Sequence, residues 1–330
     1  MSKLVLTDLG WSDKIRLAAA DAGTPGPGEV LVSMAAAAIE PVDFLYANGW
    51  YWQQPSLPQA LGGTGVGRVT QLGAGVDTDL AGKRVIILPM YTQGTWADQV
   101  VAKADSVYVV PETLDTGQAA FLAVNPATAY FLLHKYTQLN PGDWIGQNLG
   151  NSALGTQIIA LAKRAGLKTL SVVRSAAAAE QIKALGADLV VVDGDDLAER
   201  IVTQLGSARF KLVLDGRADG SVNALALGLA PHGSVVTYST VTNDAPKPTL
   251  ETIMFRDACL RGFWLENWTR GLPQEEVQAT YTHLAELVEQ GVLSTPIEAA
   301  YPLADYEQAL IHAVKPGRTG KVLFTFPNQD

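Results

Sequence analysis

The sequence predicts an α/β protein, a doubly wound parallel sheet joined to a discontinuous, mostly β domain. Three observations predict it. Short Val/Leu-rich runs alternate with amphipathic segments through the middle of the chain. A strand-like run, a tight turn and a helix start follow one another at residues 143–155. The first and last parts share a different texture, rich in Gly, Pro and β-type runs. Continuous apolar runs are expected where helices cover both faces of a parallel sheet, and β-α repetition implies the Rossmann arrangement.

Residues 1–121 form the first part. Glu29-Val30-Leu31-Val32-Ser33-Met34 and Gly65-Val66-Gly67-Arg68-Val69-Thr70-Gln71-Leu72 read as strands, with Pro27-Gly28, Gly73-Ala74-Gly75 and Ala81-Gly82-Lys83 as turns. A barrel-like β domain is expected here. Residues 122–266 carry the β-α alternation. Ile158, Ile159, Leu161 and Ala162 fall on one helical stripe, with Gly166 as a C-terminal stop. Ala187-Asp188-Leu189-Val190-Val191-Val192-Asp193, Lys211-Leu212-Val213-Leu214-Asp215 and Gly233-Ser234-Val235-Val236-Thr237-Tyr238 read as buried strands. Residues 267–330 return to the first texture, with a helix over 274–291 and a final strand over 320–326. This tail is expected to complete the first domain.

Composition narrows the function. The chain has 330 residues, 48% apolar and 17% charged, which suits a compact folded protein of two domains. A formal net charge of -9 disfavours nonspecific binding to nucleic acid or anionic membrane. Cys259 is the only cysteine, so neither an intrachain disulfide nor a cysteine-rich metal site can form. Residues 1–8 lack the apolar stretch of a secretory signal, and no apolar run is long enough to span a bilayer, so a cytoplasmic enzyme is expected.

The turn after Asp143-Trp144-Ile145-Gly146-Gln147 suits a dinucleotide pyrophosphate. The free N–H groups and the dipole of the following helix favour an anion. Ser152 adds a hydroxyl, and Gly155 permits close packing of helix on strand. Leu149 and Ser152 depart from the usual glycine fingerprint, so the surrounding βαβ pattern carries the reading. The second strand, Leu170-Ser171-Val172-Val173, ends in Arg174-Ser175. An acid there would bind the ribose 2′-OH of NAD, whereas Arg suits the 2′-phosphate of NADPH. A solvated surface Arg is the alternative.

The four histidines, His134, His232, His283 and His312, show no zinc-ligand spacing, and no metal is expected. Gly49-Trp50-Tyr51-Trp52 is an aromatic cluster read as a loop between β-type stretches. A Tyr hydroxyl there could donate a hydrogen bond or proton to an enolate. Packing of an apolar loop on the core accounts for the same residues equally well. Gly94-Thr95-Trp96 reads first as structural packing.

Taken together, Gln147-Asn148 with Asn151-Ser152, Val172-Val173-Arg174, Asn125-Pro126-Ala127-Thr128-Ala129-Tyr130, Gly94-Thr95-Trp96 and Leu260-Arg261-Gly262-Phe263-Trp264-Leu265 with Trp268 resemble the zinc-independent medium-chain dehydrogenase/reductases. Within these the resemblance is to the mitochondrial-type trans-2-enoyl-thioester reductases, relatives of the quinone oxidoreductases, and runs from about residue 30 to residue 326. It implies a GroES-like catalytic domain beside the Rossmann domain. It implies Tyr51 as the catalytic tyrosine and Asn125 near the nicotinamide. Asn151, Ser152, Ala153 and Leu154 match the pyrophosphate turn, and Arg174 with Ser175 the 2′-phosphate site. Tyr238, Ser239, Thr240 and Val241 match the nicotinamide half, and Phe263, Trp264, Leu265 and Lys321 further cofactor positions. Trp96 matches an aromatic residue near the substrate, with Trp50 and Trp52 flanking the substrate loop. Two departures stand out. Gly49-Trp50-Tyr51-Trp52 replaces Gly-Asn-Tyr-Gly, and Gly63-Thr64 replaces Asn-Glu. The added indoles would alter the acyl pocket.

The expected activity is NADPH-dependent, zinc-free reduction of an activated carbon–carbon double bond, most directly of a 2-enoyl thioester. Hydride goes to the β-carbon, and Tyr51 stabilises the developing charge or supplies a proton. A quinone reductase with a more open pocket, or a non-catalytic NADPH-binding module, are the alternatives. The resemblance also implies a homodimer acting on a small-molecule enoyl thioester, enone or quinone.

Overall fold

The computed structural model describes residues 1–21, 23–89, 91, 94–239 and 244–327. The chain divides into two compact units, Met1–Val124 with Leu272–Asp330, and Asn125–Gly271. The first unit begins with β1 (Ser2–Leu6), β2 (Ile15–Ala19), β3 (Glu29–Ile39), α1 (Pro41–Ala47), β4 (Gln59–Ala60), β5 (Gly65–Leu72), β6 (Arg84–Ile87), β7 (Gln99–Lys103), β8 (Val107–Val109) and α2 (Thr116–Ala120). The second unit runs through α3 (Asn125–His134), β9 (Trp144–Gln147), α4 (Ala153–Arg164), β10 (Lys168–Val173), α5 (Ala176–Ala184), β11 (Leu189–Val192), α6 (Leu197–Leu205) and β12 (Phe210–Asp215). It continues with α7 (Gly220–Ala226), β13 (Leu229–Thr237), α8 (Leu250–Phe255), β14 (Cys259–Gly262) and α9 (Leu265–Gly271). The chain then re-enters the first unit with α10 (Gln274–Glu289), β15 (Ile297–Pro302), α11 (Tyr306–Val314) and β16 (Lys321–Thr325).

In the second unit six strands pair in the order β11-β10-β9-β12-β13-β14, all parallel. The order reverses between β9 and β12, where doubly wound sheets place their ligands, outside the carboxyl ends of the strands. Helices on both faces explain why Leu170, Val172, Leu212, Val213, Leu214, Val235 and Val236 are all buried, with no in–out alternation. Each such side chain contributes roughly 1.5–3 kcal/mol by leaving water.

The first unit is held by a seven-stranded sheet, β15-β16-β3-β5-β6-β8, with β7 also pairing with β3, and by a smaller sheet, β2-β1-β4. The late strand β16 pairs antiparallel with β3, Val322 opposite Ile39 and Thr325 opposite Ala36. This is how the tail completes the first domain. Trp96, Phe324, Tyr46, Tyr91 and Leu310 belong to its core.

The aromatic cluster at residues 50–52 follows a helix, α1, rather than a β-type stretch. Pro41 occupies the first turn, the Asp43 N–H donates to the Glu40 carbonyl at 3.0 Å, and the Asp43 side chain accepts from the Glu40 N–H at 2.7 Å. These reciprocal caps satisfy orphan donors and start a helix in spite of the Val and Phe that follow. No described helix is long and apolar enough to cross a membrane.

Candidate active site

Side chains at the carboxyl ends of the second unit's strands form one cluster. Beyond β9, Asn148 is wholly buried. Its amide donates to Asp215 at 2.7 Å and to Ser221 at 3.0 Å, and its oxygen accepts from the Gly216 N–H at 2.8 Å. This ties the turn after β9 to the turn after β12. Leu149 sits at φ +54°, a conformation that costs an L-residue roughly 1–2 kcal/mol. The fold holds it there: Gly150 N–H bonds to the Val172 carbonyl of β10, and Ser152 N–H to the Leu149 carbonyl.

Ser152 caps α4, its Oγ accepting from the Gly155 N–H at 3.0 Å. A Cβ at Gly155 would lie 2.4 Å from the Leu149 carbonyl oxygen, so only glycine lets the helix start so close to the turn. Asn151 is exposed, Ser152 and Ala153 are half-buried and Leu154 is buried. The Leu154 side chain belongs to the interior, so only its backbone can face an anion.

Arg174 leaves the end of β10 exposed to solvent. Ser175 beside it caps α5, its Oγ accepting from the Ala178 N–H. Arg174 lines a small cavity with Leu149, Asn151, Asp193 and Arg217. The acid that would mark a ribose 2′-OH site is absent from the end of β10, but Asp193 stands at the end of the next strand.

Tyr238 follows β13. Its hydroxyl is buried with no hydrogen-bond partner among the described residues, and burial, helped by Asp215, pushes the phenol pKa upward. Ser239 is exposed. Thr240 and Val241 lie outside the described residues. Phe263 and Leu265 are buried, the former with its N–H on the Thr237 carbonyl, whereas Trp264 is half-buried under the Arg270 guanidinium. Phe263, Trp264 and Leu265 thus follow directly on the carboxyl end of β14, with Trp264 the most accessible of the three. Asn125 is half-buried at the start of α3.

A second cluster lies within the first unit. Tyr51 is half-buried and meets Tyr91 edge-on at 5.7 Å, and Tyr91 stacks on Tyr46 at 4.7 Å. Trp50 and Trp52 point outward, 68% and 87% exposed. Trp96, expected near substrate, is 0% exposed, with its indole N–H on the Ala38 carbonyl at 2.9 Å and its ring against Phe324. It belongs to the core of the first unit. Lys321, expected toward the cofactor, pairs with the buried Glu40 carboxylate and lies 5.8 Å from the Phe121 ring centre.

The sequence reading missed Glu40, Asp43 and Tyr91. Asp43 is buried and accepts from the Gly63 N–H at 3.1 Å as well as from Glu40. Burial pushes its carboxyl up to about 7, with the Glu40 charge adding to the rise and the two N–H bonds and Lys321 opposing it. The Glu40-Pro41-x-Asp43 spacing is a legible helix-start signal, though not a signal of burial. Gly63 is explained by Tyr91: a Cβ there would lie 2.8 Å from the ring. The departure from Asn at this position is the room the tyrosine occupies.

Among the described residues no group of three or more His, Cys, Asp or Glu could hold a metal ion, and Cys259 is exposed. This donor set does not fit zinc. The exposed Arg174 and the capped N-terminus of α4 present groups of the kind that hold an anion.

A GroES-like β unit and a six-stranded parallel unit with this turn define a medium-chain dehydrogenase/reductase. The model for the alcohol dehydrogenase GroES-like domain matches residues 26–112, and that for zinc-binding dehydrogenases matches residues 153–286. The chain is 34% identical over 304 residues to the mitochondrial enoyl-acyl-carrier-protein reductase of Rattus norvegicus, covering 90% of this chain and 81% of the relative. It belongs to the family of these enoyl reductases. Among solved structures, one from Bacillus thuringiensis, provisionally designated an NADPH:quinone reductase, aligns with a TM-score of 0.90 at 26% identity over 99% of both chains. Escherichia coli quinone oxidoreductase, solved with NADPH, shares the fold, with a TM-score of 0.86 at 21% identity over 99% of this chain and 100% of that one.

Proposed function

We propose that the chain is an NADPH-dependent, zinc-free reductase of an activated carbon–carbon double bond, with a 2-enoyl thioester as substrate. The observation that carries the reading is the pairing of the pyrophosphate turn after β9 with Arg174 at the end of the adjacent β10. The name of the rat relative supports the substrate class. Bound NADPH supplies a hydride to the β-carbon. Backbone N–H groups of Asn151, Ala153 and Leu154, with the Ser152 hydroxyl, hold the pyrophosphate, and Arg174 with Ser175 hold the 2′-phosphate. Asn125, Tyr238 and Ser239, with the half-buried Trp264, line the nicotinamide side. The Tyr51 phenol donates to the oxygen on which charge develops, or protonates the α-carbon. Trp50 and Trp52 flank the acyl chain.

Quinone reduction is the second reading. It is favoured by the likeness to the Bacillus thuringiensis protein and by the two exposed indoles, flat surfaces that suit a quinone ring. A chain that only binds the nucleotide is the third. Turnover of a crotonyl thioester, a simple enone and a quinone, each with NADPH and with NADH, separates them. Thioester reduction with NADPH is expected to dominate, with NADPH bound at least about tenfold tighter than NADH. Quinone turnover alone would move the assignment to the second reading, and binding without turnover to the third.

We also propose a homodimer. β14 is an edge strand, exposed along its whole length, and α8 beside it presents Leu250, Met254 and Phe255 to solvent. A second copy paired across a two-fold axis would cover both.

A further inference from the structure

Arg174 is not the only guanidinium at its cavity. Arg217, just beyond β12, lines the same space together with Leu149, Asn151 and Asp193. The two arginines come from different strand ends, 43 positions apart in the chain.

Arg217 is held before any ligand arrives. Its backbone N–H and that of Ala218 donate to Asp215, which Asn148 also binds, so the turn is locked to the buried network below it. Its Nε donates to the Asp219 carboxylate, and both side chains are only 18% exposed. Asp219 is fixed in turn: it caps α7, accepting from the Ser221 N–H at 3.0 Å. Burial works to raise the Asp219 pKa, but the Ser221 hydroxyl and the Arg217 guanidinium hold it below the ordinary carboxylate value.

We propose that Arg217 is a second specificity-determining residue for the 2′-phosphate of the nucleotide, acting opposite Arg174. The assignment rests on the NADPH reading above. A guanidinium is a rigid fork, and one already oriented by a carboxylate at its Nε loses little further freedom on binding an anion. Stability alone is a weak reason for the pair, since isolated ion pairs that remain partly solvated contribute little. Two guanidiniums lining one cavity repel each other until an anion lies between them. Asp219, paired with Arg217, moderates that repulsion in the free protein. Asp193 presents an acceptor to ribose hydroxyls.

The test measures binding of NADPH, NADH and adenosine 2′,5′-bisphosphate to the full chain by fluorescence and calorimetric titration. Arg217→Gln is expected to weaken NADPH and the bisphosphate about tenfold and NADH less than threefold. Arg217→Lys keeps a cation beside Asp219 and is expected to fall between parent and Gln. It also covers the case in which Gln fails to fold, which melting curves report. An NADPH-to-NADH ratio unchanged by whichever variants fold would overturn the role of Arg217 alone. A parent protein that binds both nucleotides equally would overturn it together with the NADPH reading.

Discussion

Lys321 and Glu40 lie 281 positions apart and form an ion pair inside the first unit, their side chains 14% and 4% exposed. One comes from β16 and the other from the residue that starts α1. The pair therefore joins the returning tail to the segment that leads to Tyr51. Removing one partner strands a buried charge, which costs about 3–5 kcal/mol. Lys321→Met is expected to destabilise by that order in denaturant unfolding. The double variant Lys321→Met with Glu40→Gln should recover most of the loss. An unchanged single variant would show that water reaches the site and solvates Glu40.

Asp43 makes stability depend on pH. Its carboxyl rises from 3.8 to about 7 in the folded state, so between these values the folded chain holds a proton that the unfolded chain has lost. Stability from this group is fully present below about pH 4 and is lost as pH rises through 7. At about 1.4 kcal/mol per unit, the effect is at most about 4 kcal/mol. Asp43→Asn should flatten the fall in unfolding free energy between pH 4 and 7. A variant with the parent's slope would assign the dependence to other groups.

Tyr51→Phe keeps the ring against Tyr91 and removes only the hydroxyl. Nucleotide binding is expected to stay near the parent value. Turnover of an enoyl thioester should fall about 10²-fold or more, and quinone reduction much less, because it needs no carbon protonation. Near-parent enoyl turnover would make Tyr51 a packing residue.

Full activity is expected after exhaustive chelation, because the described donors do not assemble a zinc site. Stoichiometric zinc by elemental analysis, with activity lost on its removal, would reverse this.

At the edge of the parallel sheet, Phe255→Asp with Leu260→Lys introduces charge on an apolar flank where Phe255 is 80% exposed. Sedimentation should show a dimer for the parent and a monomer for the variant, with the parallel sheet intact by circular dichroism. A parent already monomeric at micromolar concentration would refute the dimer.

The sequence by itself determined the parallel sheet. The Val/Leu runs at Leu170–Val173, Leu212–Leu214 and Val235–Val236 are local patterns, and burial on both faces imposes them residue by residue. It also marked the turn after β9 and Arg174, because helix starts and strand ends carry short-range signals in side-chain chemistry and spacing. Tertiary structure decided the rest. Trp96 read first as packing while the family pattern put it near substrate, and the partners that pack it, Ala38 and Phe324, became visible only in the fold. Lys321 met Glu40 because β16 pairs with β3 across nearly the whole chain. Gly63 made sense only once Tyr91 filled the space above it. Arg217 carried no motif, and its place beside Arg174 follows from a strand order in which β9 lies between β10 and β12. Periodicity records which face of an element is buried. It does not record which distant side chain lies against it, because that is set by strand pairing between segments that share no local signal.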